Sequence, residues 1–401
     1  MSLIFRNSYF KRIKPFINKN IIKVLTGQRR VGKSFLLLQI KEEIKRIEES
    51  SNIIYINKED FEFNFIKNSD DLYSYVESKL SIEYNNYLMI DEIQDIFEFE
   101  KVLRHYQSKN NVDIYCTGSN AKMLSSELST FLSGRYVEFK IYSLSYLEFL
   151  EFNNIESDKS SLDRYLRYGG LPFLRNLPDN NKVIKEYLKG IYATIIYKDV
   201  VGRNNIRNTE FLENLVHFLA SDIGNIISGQ KIRDYLKSQG IKTSTQNVIN
   251  YLSYLENAFL VYKVFRKDII GKKVFEINNK YYFEDWGLSN AIIGDNYFDI
   301  GKTIENVIYI NLLISGYDVK IGQAGDKEVD FIAEKDGDKI YVQASYLIAT
   351  DKVKEREFGN LLLIKDNYPK YVVSLDEYTI GNLEGIKHLH LREFLEKINE
   401  L

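Results

Sequence analysis

A short apolar run, Ile21-Ile22-Lys23-Val24-Leu25-Thr26, leads into Gly27-Gln28-Arg29-Arg30-Val31-Gly32-Lys33-Ser34, followed by Phe35-Leu36-Leu37-Leu38-Gln39-Ile40. The middle segment fits G-x-x-x-x-G-K-[ST]. Its flanks predict a strand before it and a helix, continuing through Ile44, after it. Strand, glycine loop and helix in that order form a cradle for phosphate. The glycines let successive backbone N–H groups turn inward, and the helix N-terminus adds its positive end. Every residue from Gly27 to Ser34 is therefore a candidate for binding a nucleoside triphosphate. Lys33 is expected to reach the β/γ-phosphates and the Ser34 hydroxyl to ligate Mg²⁺.

Five β-type runs alternate with helical stretches: Ile21–Thr26, Asn52–Asn57, Tyr87–Asp91, Asp113–Thr117 and Tyr136–Ile141. Such alternation predicts a parallel sheet with helices on both faces. The third run, Tyr87-Leu88-Met89-Ile90, ends in the paired acids Asp91-Glu92. Asp91 is expected to hold the Mg²⁺ shell and Glu92 to orient and deprotonate an attacking water, which favours hydrolysis over transfer to a second substrate. A solvated strand end with two acids is the plainer alternative. The fourth run ends in Gly118-Ser119-Asn120. Ser119 is the first candidate to contact the γ-phosphate or the water, with Thr117 and Asn120 beside it and a helix N-cap as the other reading. Leu132-Ser133-Gly134-Arg135 precedes the fifth run. Arg135 could reach a neighbouring subunit's γ-phosphate, or be an ordinary surface arginine.

The remaining composition sets bounds. A chain of 401 residues implies two to four domains. A 44% hydrophobic and 27% charged composition is that of a soluble globular protein. No apolar run approaches the ~20 residues of a membrane helix, and the N-terminus lacks the pattern of a signal peptide. The single cysteine, Cys116, sits in an apolar run as an expected core thiol, which suits a reducing cytoplasm. The four histidines have no zinc spacing, and His388 and His390 read as surface residues. A net charge of −2 argues against a globally basic nucleic-acid binder, though not against a local basic patch.

Taken together, these motifs resemble the AAA+ ATPases. More closely, they resemble a large prokaryotic family with "G-x-R-R-V-G-K-S", "D-E-I-Q", "T-G-S" and "L-x-G-R" motifs and a C-terminal nuclease-like domain. The resemblance covers most of the chain. It implies ATP and Mg²⁺ as cofactors, an arginine finger at Arg135 and a possible homo-oligomer. The family's "G-G-L-P" and "Y-K-D-V" elements correspond to Gly169–Pro172 and Tyr197–Val200, with Arg203 shortly after. Both fall in the expected helical lid, where packing is the plainer role.

Beyond about Asn205, predicted helices at Phe211–Ala220, Gly229–Lys237 and Thr243–Glu256 precede a hairpin, Leu260–Val264 with Lys280–Phe283. This pattern resembles a winged helix, whose third helix can enter a major groove. Lys242 to Asn247 offer short polar reach, and Arg266, Lys267, Lys272 and Lys273 make the expected wing basic, so residues 242–273 are a candidate DNA contact. A protein partner is the alternative. From about Gly301 the chain resembles a restriction-endonuclease-like fold. Glu305 and Asp330 match its acids, but Gln343 and Ser345 stand where that family has an acid and a lysine, so no cleavage is expected.

The expected architecture is therefore α/β: a P-loop AAA+ core with a parallel sheet (residues 1–142), a helical lid (143–204), a winged helix (205–290) and an inactive nuclease-like domain (291–401). The expected function is Mg²⁺-dependent ATP hydrolysis by a switch or remodeller acting with a DNA or protein partner. Two alternatives stand beside it: a DNA-binding effector whose assembly ATP gates, and an ATP-gated metal nuclease.

Overall fold

Three strands, β1 (Ile22–Thr26), β3 (Asn86–Asp91) and β4 (Val112–Gly118), are buried along nearly their whole length, as a parallel sheet covered on both faces requires. Flanking them are β2 (Asn52–Asn57) and β5 (Tyr136–Lys140), which are less buried. The order is β2-β3-β4-β1-β5, all parallel. The expected five-stranded parallel sheet is therefore present. Leu25 lies in register with Thr117, and Ile90 with Cys116. That register brings the ends of β1, β3 and β4 to one edge, where ligands bind in open α/β sheets.

Helices α1 (Asn7–Ile13), α2 (Lys33–Ile47), α3 (Ser69–Glu77) and α4 (Phe99–Lys109) accompany this sheet. α3 starts at Asn68, whose side chain accepts hydrogen bonds from the Asp70 and Asp71 N–H groups. Val24, Ile56, Leu88, Ile90, Ile114 and Cys116 form the centre of the core. Burial pushes the Cys116 thiol up to about 12, as an inert core cysteine requires.

The computed structural model describes residues 5–109, 111–121, 132, 134–269, 271, 274–294 and 299–400. It divides into two units, residues 1–142 with 257–259 and residues 143–256 with 260–401. Residues 122–131, between the Ser119 and Arg135 motifs, lie outside the described residues, as do Lys272 and Lys273.

In the second unit, helices α5 (Tyr146–Asn153), α6 (Lys159–Tyr168) and α7 (Asn181–Thr194) come first, and α7 runs on into a π-helical stretch, Ile195–Val201. There the buried Asp199 pairs with Arg203 at 3.2 Å, while Tyr197 and Lys198 are exposed. α8 (Thr209–Ser221), α9 (Gly229–Ser238) and α10 (Thr245–Asn257) follow. The hairpin β6 (Val261–Asp268) and β7 (Val274–Phe283) is not a separate wing. It forms one end of an eight-stranded sheet, with β6 parallel to β8 (Asp318–Ala324). The sheet continues through β9 (Lys327–Lys335), β10 (Asp338–Ala344), β11 (Lys370–Ser374), β13 (Ile386–His390) and β12 (Asn382–Leu383). α11 (Trp286–Ile293), α12 (Ile300–Ile314), α13 (Asp351–Leu362) and α14 (Leu391–Lys397) complete the unit.

Gly169 and Gly170 are explained by this packing. The Asp285 carboxylate accepts a 2.8 Å hydrogen bond from Gly170 N, and a Cβ on Gly169 (φ +84) would lie 2.2 Å from Asp285 Oδ1. A Cβ on Gly170 would meet the Leu144 carbonyl at 2.5 Å. Beside it, Trp286 Nε1 donates to Tyr165 O at 2.7 Å. The expectation of a surface His388 is overturned. Its ring is buried, Nδ1 accepts from Ile380 N at 3.0 Å and Nε2 pairs with Ser374 Oγ at 2.7 Å.

Candidate nucleotide site

The glycine loop takes the shape its sequence requires. Gly27 (φ +145) and Gly32 (φ +100) both occupy backbone conformations that side chains resist. A Cβ on Gly27 would sit 2.0 Å from the Ile141 carbonyl oxygen, so only glycine fits this cradle. Gly32 is the residue from which α2 starts, and its left-handed turn aims the first N–H groups of that helix into the loop.

Arg6, which sequence reasoning missed, braces the loop from the N-cap position of α1. Its buried guanidinium donates to Val31 O at 2.9 Å and to Tyr142 O at 2.7 Å, and it stacks on Tyr9. Only the contacts of Arg6 with residues distant in the chain reveal this role.

Lys33 is buried, and its ammonium donates to Gly27 O at 3.0 Å and Gln28 O at 2.9 Å. Its Nζ also lies 3.9 Å from Glu92 Oε1. The lysine from the glycine loop and the second acid of β3's end therefore meet at one point. Val31 is buried in the core, while Arg30 is exposed in a left-handed conformation (φ +72). Arg29 is buried and pairs with Glu59 at 2.8 Å. The Gln28 side chain is fully buried, and neither its amide nitrogen nor its amide oxygen has a hydrogen-bond partner.

Asp91 and Glu92 behave oppositely although they are neighbours. Burial raises the Asp91 carboxyl above its ordinary range, only partly offset by hydrogen bonds from Thr117 and Ser34. Burial also pushes Glu92 up, but the Lys33 ammonium, Gln94, Arg29 and Ser119 outweigh it and hold that carboxyl below its ordinary range. The Asp91–Ser34 contact joins the two residues expected to ligate Mg²⁺. Thr117 bridges the acids: its hydroxyl donates to Asp91 Oδ1 and accepts from Glu92 N at 2.9 Å. Ser119 Oγ donates to Glu92 Oε2 at 3.0 Å, and Gln94 Nε2 donates to the same oxygen. Glu92 itself adopts a left-handed backbone (φ +55), a conformation that non-glycine residues seldom hold without a functional or packing reason.

Arg135 lies outside this constellation. Its backbone is pinned, with N donating to Leu132 O at 2.7 Å and O accepting from Ile22 N at 2.9 Å, while its side chain is exposed.

The residues present suit a nucleoside triphosphate with Mg²⁺. The cradle excludes any side chain at Gly27, the buried Gln28 amide has unused donors and an unused acceptor, and Lys33, Ser34 and Asp91 supply a cation and hard oxygen ligands. This sheet order and loop define a P-loop nucleotide-binding fold.

A family description of an AAA domain matches residues 19–150, and a second, of a domain of unknown function, matches residues 159–299. An uncharacterized protein of Haemophilus influenzae is 37% identical over 98% of this chain and 99% of its own length. The chain belongs to the same family as that protein. An uncharacterized protein of Methanocaldococcus jannaschii is 30% identical over 84% of this chain and 77% of its own length. Among solved structures, a Walker-type ATPase of Pyrococcus abyssi shares the fold at a TM-score of 0.52 and 17% identity, over 73% of this chain and 96% of its own. Among the described residues, no helix is long and apolar enough to cross a membrane.

Proposed function

We propose that this chain binds ATP with Mg²⁺ and hydrolyses it, acting as a switch or remodeller on a DNA or protein partner. The carrying observation is the Lys33–Glu92 approach of 3.9 Å, in which a buried loop cation faces a carboxylate held in its charged form. A charged, positioned carboxylate is what a general base for water must be.

In this reading the backbone from Gly27 to Ser34 and the Lys33 ammonium bind the phosphates, and Lys33 exchanges its two loop carbonyls for phosphate oxygens. Ser34 and Asp91 would hold Mg²⁺, which supplies charge neutralisation on the phosphates when bound. Glu92 orients a water and accepts its proton. Ser119 and Gln94 hold the carboxylate in place. The exposure of Arg135 supports a role in trans, on the γ-phosphate of a neighbouring copy in a homo-oligomer.

The DNA-contact reading of residues 242–273 now rests on the start of α10, where Lys242, Ser244, Gln246 and Asn247 are exposed. Arg266 and Lys267 are otherwise engaged, with Gln323 at 2.5 Å and Glu334 at 2.8 Å, so they offer little to phosphates. The test is release of inorganic phosphate from Mg²⁺–ATP by the full chain and by Glu92→Gln, with and without DNA. A Glu92→Gln chain that turns over like the unaltered one sinks the assignment. DNA binding that responds to salt without altering turnover would instead favour an effector gated by ATP.

A further inference from the structure

Lys280 on β7 is a lysine with almost no exposure, and three carboxylates converge on it. Its side chain is 2% exposed, and Nζ lies 2.9 Å from Glu305 Oε1, 2.7 Å from Glu328 Oε1 and 3.5 Å from Asp330 Oδ1. Glu305 comes from α12, while Glu328 and Asp330 alternate along β9 and so project to one face. Tyr282, two residues on from Lys280, donates to the same Glu305 oxygen at 2.6 Å. The second Asp330 oxygen accepts from Ala344 N at 2.9 Å. The sequence at 343 and 345 gave reason to think a cation was missing here. The cation is present, but it arrives from a different strand.

This lysine is not placed to act on a substrate. Burial disfavours its charge, yet Glu305, Asp330 and Glu328 outweigh burial and keep the proton on more firmly than in water, while burial and the neighbouring Glu305 charge push the Asp330 carboxyl well above its ordinary range despite the lysine. An amine that holds its proton cannot serve as a base. On one side backbone lies directly against the cluster, since a Cβ on Gly224 would lie 2.5 Å from Glu305 Oε2, while the Glu328 side chain keeps 32% exposure. Residues following Gly224 are fastened there by a bridge between Ile227 and Asn279, the neighbour of Lys280.

Several carboxylate oxygens around one point are the ligand set of a hard divalent cation, and isolated buried carboxylates demand compensation. Among the described residues, no group of acidic, histidine or cysteine side chains stands ready to hold a metal ion as it is. We propose that Lys280 is the resident cation of this cluster: its ammonium fills the place a divalent metal ion would take, and the second unit accepts such an ion there only when the ammonium is removed. The tethered charge makes the unit independent of metal supply, and it leaves the cluster a structural clamp joining β7, β9 and α12. This inference is independent of the nucleotide site and stands or falls separately from ATP hydrolysis.

The test uses the full chain without nucleotide and Mn²⁺ alone as the probe, read by calorimetric titration and thermal unfolding. Lys280→Met should lower the unfolding midpoint of the second unit by roughly 10 °C. Added Mn²⁺ should restore much of that loss and bind in one equivalent more than the unaltered chain takes up. Asp330→Asn introduced into the Lys280→Met chain should remove both effects. A second variant, Lys280→Gln with Glu328→Gln, removes one acid together with the cation and should fold without metal while still gaining Mn²⁺ uptake. A Lys280→Met chain that is no more stable with Mn²⁺ than without it, and a double variant that gains no Mn²⁺, would overturn the proposal. Mn²⁺ uptake by the unaltered chain that Asp330→Asn abolishes would overturn it equally, because the ammonium would then not exclude the ion.

Discussion

Ser119 Oγ and Glu92 Oε2 share a 3.0 Å hydrogen bond that ties the end of β4 to the end of β3. The bond aims the carboxylate while leaving its charge intact, since hydrogen bonds to the ionised form favour that form.

Glu92→Gln is expected to keep ATP affinity within a few-fold while lowering turnover by about 10²–10⁴, the usual worth of a positioned base. Lys33→Ala should lose affinity itself, because it removes the ammonium that would exchange the Gly27 and Gln28 carbonyls for phosphate oxygens. Equilibrium nucleotide binding and phosphate release, measured on both variants, separate the two roles. Ser119→Ala should fall between the unaltered chain and Glu92→Gln in turnover.

Arg135→Ala should leave ATP affinity unchanged and depress turnover by roughly 10³, the lower end for arginines acting on a γ-phosphate. Because the side chain is exposed, truncation should cost stability less than about 0.5 kcal/mol. Mixing Arg135→Ala with Lys33→Ala chains should restore part of the activity if the arginine acts across a subunit boundary. A single variant with normal turnover returns Arg135 to the surface.

Asp285 predicts a pH dependence with a definite sign. Burial lifts its carboxyl to about 7 in the folded chain, against a range near 4 when unfolded, even though Gly170 and Leu288 donate to it. The protonated form is therefore favoured by folding. Its contribution is fully present below about pH 4 and is lost as pH rises to about 7, a total on the order of 4 kcal/mol. Glu256, raised to about 6 by burial, adds to the same slope. Denaturant unfolding of Asp285→Asn at several pH values should show lower stability but a flatter slope between pH 4 and 7. An unchanged slope refutes the assignment.

Gly170→Ala should destabilise the second unit by about 1–3 kcal/mol, since the added methyl must displace the Leu144 backbone rather than a flexible side chain. Gly134→Ala is the comparison. Its Cβ would meet nothing, and only the φ of +71 would be strained. Thermal unfolding of the two variants should rank them in that order.

The nucleotide unit was legible because its signals are local. Gly27, Lys33 and Ser34 lie within eight residues of one another, and Asp91-Glu92 end a run of apolar residues. What escaped was set by contacts far apart in the chain. Lys280 meets Glu305 and Asp330, and Arg6 meets Tyr142, with nothing in the local pattern to announce either pair. The β6–β7 hairpin shows a further limit. Alternation predicts two strands, but the parallel partner of Arg266 is Ile321, and strand alternation carries no information about which third strand will pair. His388 was misjudged because a histidine between Lys387 and Leu389 looks the same in sequence whether its ring faces solvent or Ser374.

The first unit is not one uninterrupted piece of chain. Residues Asn257 to Phe259 belong to it, and Asn257 O accepts a 2.8 Å hydrogen bond from Ala121 N. On the ribosome, that acceptor emerges only after residues 143–256 have been synthesised. Completion of the nucleotide unit therefore waits for translation to pass the last turn of α10. A nascent chain released before Asn257 would leave the Ala121 amide without the partner it has in the finished fold.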